Sequence, residues 1–248
     1  NTLTIAQREA LQLTGETVPI DFQSGTGKTA LTERFPIGPI VAISPFNFPL
    51  NLALHKIAPA LACGCSVVLK PSPLAPLSAL AFADLMVEAG YPAGTLSVVN
   101  CAVAVAEKLV RDDRMAMLSF TGSPAVGWHL KNIAGRKKVA LELGGNAPLI
   151  IDEGIDVEQA AKATAVGSFL YAGQVCISTQ RIYVHASVYD SFAAALVKAT
   201  KELPAGDPKD TGVLVGPMIN ALHLERVRSW VDDAVKSGAT LLAGGKVI

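Results

Sequence analysis

The stretch PIGPIVA, residues 36–42, opens a run in which short apolar segments alternate with helical patterns. Four segments are apolar on both faces, as buried parallel strands are: residues 40–43, 66–69, 96–99 and 117–120. Between them, apolar residues recur every three to four positions, which predicts helices over residues 50–62, 78–89 and 102–110. Such alternation predicts an α/β fold with a mostly parallel sheet wrapped by helices.

A second unit is predicted after Asn146. Its elements are a strand at 147–151, a helix at 157–171, a strand at 181–185, and helices at 189–203 and 221–236. The Gly-rich segment 143–146 is the predicted passage between two domains, which are placed at residues 1–145 and 146–248.

The composition favours a small-molecule partner. The 248 residues carry 21 Lys and Arg against 21 Asp and Glu, so no positive field attracts nucleic acid. No apolar run reaches the roughly 18 residues of a membrane span, which predicts no membrane association and a cytoplasmic location. The four cysteines lie in apolar or Gly-rich surroundings, which predicts reduced thiols. Cys63 and Cys65 lack a matching second pair or a suitably spaced His, which predicts no metal site.

Cys176 is the first candidate for chemistry. It follows a helical pattern in the segment GQVCI, residues 173–177, where a Gly precedes an irregular turn. Thiols at such turns are exposed and can be activated by nearby main-chain N–H groups. The alternative is that Cys176 is buried and only fills space in the core, as a lone cysteine usually does.

Two further polar residues stand beside unusual backbone signals. Glu142 ends an apolar run and precedes Gly144 and Gly145; a carboxylate among apolar residues suits a general base, although a solvated strand end is the alternative. Asn47 lies between two prolines in SPFNFP, residues 44–49, so that its amide can be fixed as an oxyanion donor. An ordinary turn is the alternative there.

Taken together and in this chain order, these segments resemble the signature set of the aldehyde dehydrogenase superfamily, with VLKPS at 68–72 and FTGS at 120–123 completing it. The resemblance extends over nearly the whole chain. It implies a Rossmann-like cofactor domain over residues 1–145 and an incomplete catalytic thiol domain over 146–248.

The resemblance also assigns roles. Cys176 is implied to be the nucleophile, Glu142 the base that activates water, and Asn47 the oxyanion donor. The implied cofactor is NAD or NADP, held by residues at five places: Ile43, Ser44, Pro45 and Phe46; Lys70, Ser72 and Pro73; Gly122 and Ser123; Gly127; and Leu143 and Gly144.

The implied reaction oxidises a small-molecule aldehyde to a carboxylic acid through a thiohemiacetal and a thioester. Two alternatives stay open: an acyl-CoA-forming relative, which commonly lacks the base that Glu142 provides, and a non-catalytic structural relative. The segment SGTGKT, residues 24–29, resembles a phosphate-binding loop but has Phe22 where that pattern needs Gly, so we predict a hairpin turn.

Family members are about twice this length, since a two-domain enzyme of this class needs a longer chain. The resemblance therefore identifies the sequence as an internal fragment that lacks a later Glu-containing cofactor segment. The full-length protein is expected to be a homo-oligomer.

Overall fold

A computed structural model of the chain describes residues 1–246 and contains two compact units. Unit 1 is Asn1–Leu143 and unit 2 begins at Gly144, whereas the sequence placed the domain boundary after residue 145. The functions assigned to the two domains stay predictions.

Unit 1 alternates strands and helices from residue 40 onward, as predicted. Its elements are α1 Thr2–Ala10, β1 Glu16–Pro19, β2 Thr29–Thr32, β3 Ile40–Ile43, α2 Pro49–Ala62, β4 Val67–Lys70, α3 Leu77–Glu88, β5 Leu96–Val98, α4 Val103–Arg111, β6 Met117–Gly122, α5 Pro124–Ile133 and β7 Lys138–Leu143. Unit 2 comprises β8 Ala147–Ile151, α6 Val157–Phe169, β9 Thr179–Val184, α7 Tyr189–Lys201 and α8 Ala221–Lys236.

The main sheet of unit 1 is parallel, with strand order β5-β4-β3-β6-β7. All four residues of β3 are buried, because side chains that alternate across the pleat meet helices on both faces. Ile40 and Ala42 pack with α2 and α3, while Val41 and Ile43 pack with α4 and α5. The chain runs from β3 outward to β4 and β5, then returns to β6 on the other side. Such a reversal between β3 and β6 is where open α/β sheets bind ligands.

The segment 24–29 lies in the connection of a β-hairpin, which confirms the predicted hairpin turn. β1 and β2 pair antiparallel with Glu16 opposite Thr32, and a 3₁₀ turn at Gln23–Gly25 lies between them. The main-chain N–H of Gly27 donates to the Asp21 carboxylate, which closes the connection.

Unit 2 is built on the parallel pair β8 and β9, covered by α6 and α7. Its core is formed by Ile151, Ala161, Phe192 and Ala195. The helix predicted over 157–171 ends at Phe169, because a 3₁₀ turn at Leu170–Gly173 follows it. Within residues 1–246, no helix has the length and apolar character to cross a bilayer.

Candidate active site

The predicted cofactor residues of β3, β4 and β6 gather at one edge of the unit 1 sheet. Because the strands are parallel, their carboxyl ends lie side by side, with Ser44 after β3, Lys70 at the end of β4 and Gly122 at the end of β6. The main-chain N–H of Ser44 donates to the carbonyl oxygen of Lys70 at 3.2 Å, which joins two of these segments directly.

This edge presents buried polar groups. Lys70 is 7% exposed, and burial lowers the pKa of its ammonium, an effect that the nearby Cys101 thiol opposes. The Ser44 hydroxyl is buried and has no hydrogen-bond partner among the described residues. The Ser72 hydroxyl accepts from the Leu74 main-chain N–H at 3.3 Å, while Pro73 is exposed. The Lys70 ammonium and the unpartnered Ser44 hydroxyl therefore lie close to the end of β4.

The N-terminus of α5 lies at the same edge. Ser123 is its N-cap residue, makes no capping hydrogen bond with its side chain, and is followed by Pro124 as the first helical residue. The first N–H groups of a helix are unpaired and attract anions, so this end of α5 suits a phosphate.

Three of the predicted cofactor residues support this edge through packing. A Cβ at Gly127 would lie 2.4 Å from Leu143 Cδ2 and 3.2 Å from the Phe120 ring, so a larger residue there would force these side chains to move. The side chains of Ile43 and Leu143 pack in the same core, which leaves the main chain of Ile43 for any ligand contact.

Asn47 lies in the loop between β3 and α2. It is half-buried, and the next residue, Phe48, is the N-cap of α2 with left-handed φ and ψ of 44° and 53°. Residues with a Cβ adopt this conformation rarely, and such outliers concentrate at functional sites. Pro49 then begins the helix, so that the backbone after Asn47 is fixed by two successive restraints.

Glu142 is exposed, so it does not fit the expected carboxylate lodged among apolar residues and fits the alternative of a solvated strand end. The reason is its position on β7, which, among residues 1–246, forms the border of the unit 1 sheet and pairs with β6 alone. In that register Glu142 stands beside Thr121.

Lys56 is a residue of this site that the sequence analysis missed. It is 5% exposed in α2, and its Nζ donates to Thr121 Oγ1 at 2.7 Å and to Ser119 Oγ at 3.3 Å. Burial lowers the pKa of Lys56 to about 8, while the Glu142 carboxylate acts to raise it. The available signal was its position on the helical stripe shared with the buried residues Ala53, Ile57 and Ala60.

Cys176 lies in unit 2, between α6 and β9, and its side chain is exposed. The Ser178 N–H donates to the Val175 carbonyl oxygen at 3.1 Å, so the thiol stands on a tight turn. This placement confirms the exposed turn and contradicts the alternative that Cys176 is buried in the core. A Cβ at Gly145 would lie 3.2 Å from the Cys176 carbonyl oxygen, so Gly145 permits close approach to the turn that carries Cys176.

Cys63, Cys65, Cys101 and Cys176 are free thiols, as predicted. Across the part of the chain that the structure describes, no three His, Cys, Asp or Glu side chains are grouped so as to hold a metal ion. Glu142 and Asn47 belong to unit 1, whereas Gly144 and Cys176 belong to unit 2.

Comparison with known proteins gives matches along the entire chain. The 3-sulfolactaldehyde dehydrogenase of Priestia aryabhattai is 45% identical over 99% of this chain and 52% of its own length. Glyceraldehyde-3-phosphate dehydrogenase of Methanocaldococcus jannaschii, solved with NADP, has a TM-score of 0.93 and 39% identity, covering 100% of this chain and 54% of its own. Betaine aldehyde dehydrogenase of Staphylococcus aureus, solved with NAD+, has a TM-score of 0.94 and 34% identity, covering 99% and 49%.

The chain thus spans about half the length of the relatives that it matches. Structural neighbours bind NADP or NAD, and oxidation of aldehydes to acids is the reaction of the family. The sequence model of the aldehyde dehydrogenase family matches residues 1–248, and this chain belongs to that family.

Proposed function

We propose that the protein containing this chain oxidises a small aldehyde to a carboxylic acid with NAD or NADP, using Cys176 as its nucleophile. The observation that carries the proposal is the exposed thiol of Cys176 on a tight turn, in a chain that matches the family along its entire length.

The carboxyl edge of the unit 1 sheet fits an anionic dinucleotide. Lys70 would contact the adenosine ribose or its phosphate, Ser44 offers an unpartnered hydroxyl, and the open N-terminus of α5 would face the pyrophosphate. When bound, NAD(P)+ supplies the acceptor for the hydride that leaves the substrate.

The side chains of the protein perform the covalent and proton-transfer work. The Cys176 thiolate forms a bond to the carbonyl carbon, and the Asn47 amide together with the Cys176 N–H donates to the oxyanion. After oxidation, Cys176 holds the acyl group as a thioester. Glu142 takes a proton from water, which then attacks the thioester and releases the acid and the free thiol.

Exposure of Glu142 is compatible with this role, since a base for hydrolysis must meet water. Its presence favours release of a free acid over transfer to coenzyme A. Assays with and without coenzyme A distinguish the two products, and a non-catalytic structural relative would form neither.

The charge of the substrate is a separate question. The relatives named above are dehydrogenases of 3-sulfolactaldehyde, glyceraldehyde 3-phosphate and betaine aldehyde. Val175 and Ile177 flank the proposed nucleophile in this chain. We propose that the entrance to the substrate pocket is apolar or neutral at that point. The homo-oligomer and the cytoplasmic location of the full-length protein stay predictions, which sedimentation and cell fractionation test.

The test uses the full-length protein, a panel of aldehydes and formation of NADH or NADPH. We expect the Cys176→Ala variant to lose oxidation by at least about a thousandfold while cofactor affinity stays the same. Cys63→Ala, which removes another exposed thiol, is the matched control and should oxidise at the wild-type rate. Undiminished turnover in Cys176→Ala would contradict the proposed mechanism.

A further inference from the structure

The turn that precedes Cys176 has an unfavourable backbone. Tyr171 has φ and ψ of 58° and 34°, Ala172 has 55° and 34°, and Gly173 has a φ of 68°. Side chains disfavour the left-handed region, so two successive non-glycine residues there need support from their surroundings.

Gln174 provides that support through both ends of its carboxamide. Its Nε2 donates to the Tyr171 carbonyl oxygen at 3.1 Å, and its Oε1 accepts from the Ile219 main-chain N–H at 3.0 Å. The Tyr171 N–H donates in turn to the Leu214 carbonyl oxygen at 3.1 Å. The left-handed turn is therefore tied to the segment of residues 214–219 by bonds at both of its ends.

The other side of Cys176 is held independently. Ser178 is 2% exposed, and its hydroxyl donates to the carbonyl oxygen of Ser168 at 2.9 Å. Cys176 thus stands between two anchored residues while its own side chain remains exposed. Movement of either anchor would redirect both the thiol and the main-chain N–H of Cys176.

We propose that Gln174 is the positioning residue for the nucleophile: its carboxamide fixes the left-handed turn against residues 214–219 and so sets the direction of the Cys176 thiol and N–H. This inference rests on the proposed function, because it takes Cys176 as the nucleophile. Gln174 acts through the backbone of the turn, and its effect is on the chemical step.

The experiment compares three variants of the full-length enzyme. Gln174→Leu removes both hydrogen bonds, Gln174→Glu keeps the acceptor for the Ile219 N–H, and Gln159→Leu makes the same exchange at an exposed site on α6. A displacement of about 1 Å at a reacting group can cost about a hundredfold in rate. We therefore expect Gln174→Leu to lower kcat by about 10- to 100-fold while the KM for NAD(P) stays within about twofold.

Gln174→Glu should recover part of that loss, and Gln159→Leu should behave as wild type. An unchanged kcat in Gln174→Leu would overturn the inference, and so would a loss that only follows the fraction of folded protein. If Gln174→Leu does not fold, Gln174→Asn takes its place, since a side chain shorter by one methylene cannot span both partners.

A second measurement separates this inference from the proposed function. The rate of alkylation of Cys176 by iodoacetamide, read by mass spectrometry of its peptide, needs no enzymatic turnover. If wild type oxidises no aldehyde, the proposed function fails, yet a changed alkylation rate confined to the Gln174 variants still supports positioning. Equal alkylation rates in wild type, Gln174→Leu and Gln159→Leu would overturn it.

Discussion

Unit 1 and unit 2 hold their functional residues by different means. The sheet of unit 1 is covered on both faces. Among the described residues, unit 1 contributes all but one of the largest fully buried side chains: Ile57, Leu69, Leu118, Val41, Val67, Val110 and Pro71. In unit 2, Phe192 is the one side chain of this class, and the paired residues Ile150 and Tyr183 are 78% and 55% exposed.

The difference shows how each site is positioned. In unit 1, the ends of the paired strands of a well-packed sheet bring Ser44, Lys70 and Gly122 to one edge, so the sheet places the residues to which we assign cofactor binding. In unit 2, the turn that carries Cys176, the proposed nucleophile, is held by individual hydrogen bonds, such as those of Gln174 and Ser178. Apart from Asn47 and Glu142, substitutions in unit 1 should therefore act through binding and stability, whereas those around Cys176 should act through the rate of the chemical step.

The largest effect that we expect within unit 1 tests this division at Glu142, which, like Asn47, is a unit 1 residue to which we assign a part in the chemistry. In the full-length enzyme, Glu142→Gln should leave a single-turnover burst of NAD(P)H while it slows steady-state turnover by about a hundredfold or more, the usual contribution of a general base. Rapid-mixing absorbance measures both phases.

Glu88→Gln, the same exchange at an exposed residue of α3, should leave burst and turnover unchanged. If the burst disappears together with turnover in Glu142→Gln, then Glu142 acts before the thioester forms, and the assignment to hydrolysis is wrong.

A second prediction concerns local stability in the 248-residue chain. The amides of β3, which pair on both sides within a fully buried strand, should exchange with deuterium at least about 100-fold more slowly than those of β8. A two-stranded sheet with one exposed face opens at lower cost. Hydrogen exchange with mass spectrometry measures both strands in one sample. Equal exchange rates in β3 and β8 would show that the two units do not differ in local stability.

Much of unit 1 is predictable from sequence for the same reason that we expect it to be the more stable unit. The strand at residues 40–43 is found as predicted, because a short run that is buried on both faces is apolar throughout. Helix α8 likewise spans the predicted residues 221–236, because its apolar residues recur at helical spacing along the whole segment. The α1 helix lacks any buried residue and was not predicted.

The site could be predicted less completely. Motif order indicated Cys176, Glu142 and Asn47, and an exposed turn at Cys176 followed from the glycine that precedes it. Lys56 and Gln174 were missed, because their roles depend on partners far along the chain: Lys56 meets Thr121, and Gln174 meets the Ile219 N–H. The exposure of Glu142 depends on which strand forms the sheet border, which hydrophobic pattern does not encode.

Lys56 provides a third prediction, because the core of unit 1 carries a buried ammonium. Burial lowers its pKa from 10.5 to about 8, so between these pH values the unfolded chain binds more protons than the folded chain. The free energy of unfolding should therefore rise with pH across this window, by about 3 kcal/mol at most. Lys56→Met should remove this rise, as measured by urea unfolding at pH 8 and pH 10.

The exposed Lys108 of α4 gives the matched control, since Lys108→Met should leave the slope as it is in wild type. If the free energy of unfolding changes equally with pH in Lys56→Met and wild type, then burial does not destabilise the Lys56 ammonium in the folded state.

The smallest expected effect concerns cofactor choice, which the edge of unit 1 should set by itself. We predict that NADP is accepted at least comparably with NAD. Lys70 offers an ammonium and Ser72 a hydroxyl at the end of β4, while the exposed Pro73 cannot present a carboxylate that would repel a 2′-phosphate. Charge-assisted hydrogen bonds contribute on the order of 1.5–3 kcal/mol, so one such contact shifts preference by about tenfold or more.

The measurement is kcat/KM for both cofactors with one good aldehyde, for wild type, Pro73→Glu and Pro73→Gln. Because Pro73 is exposed, either side chain can be accommodated without repacking the core. A carboxylate at this position should move the ratio toward NAD by about tenfold, whereas the neutral Gln should leave it near the wild-type value, which separates charge from the loss of proline. A wild-type preference for NAD above about tenfold, or equal ratios in the two variants, would show that the 2′-phosphate does not meet this end of β4.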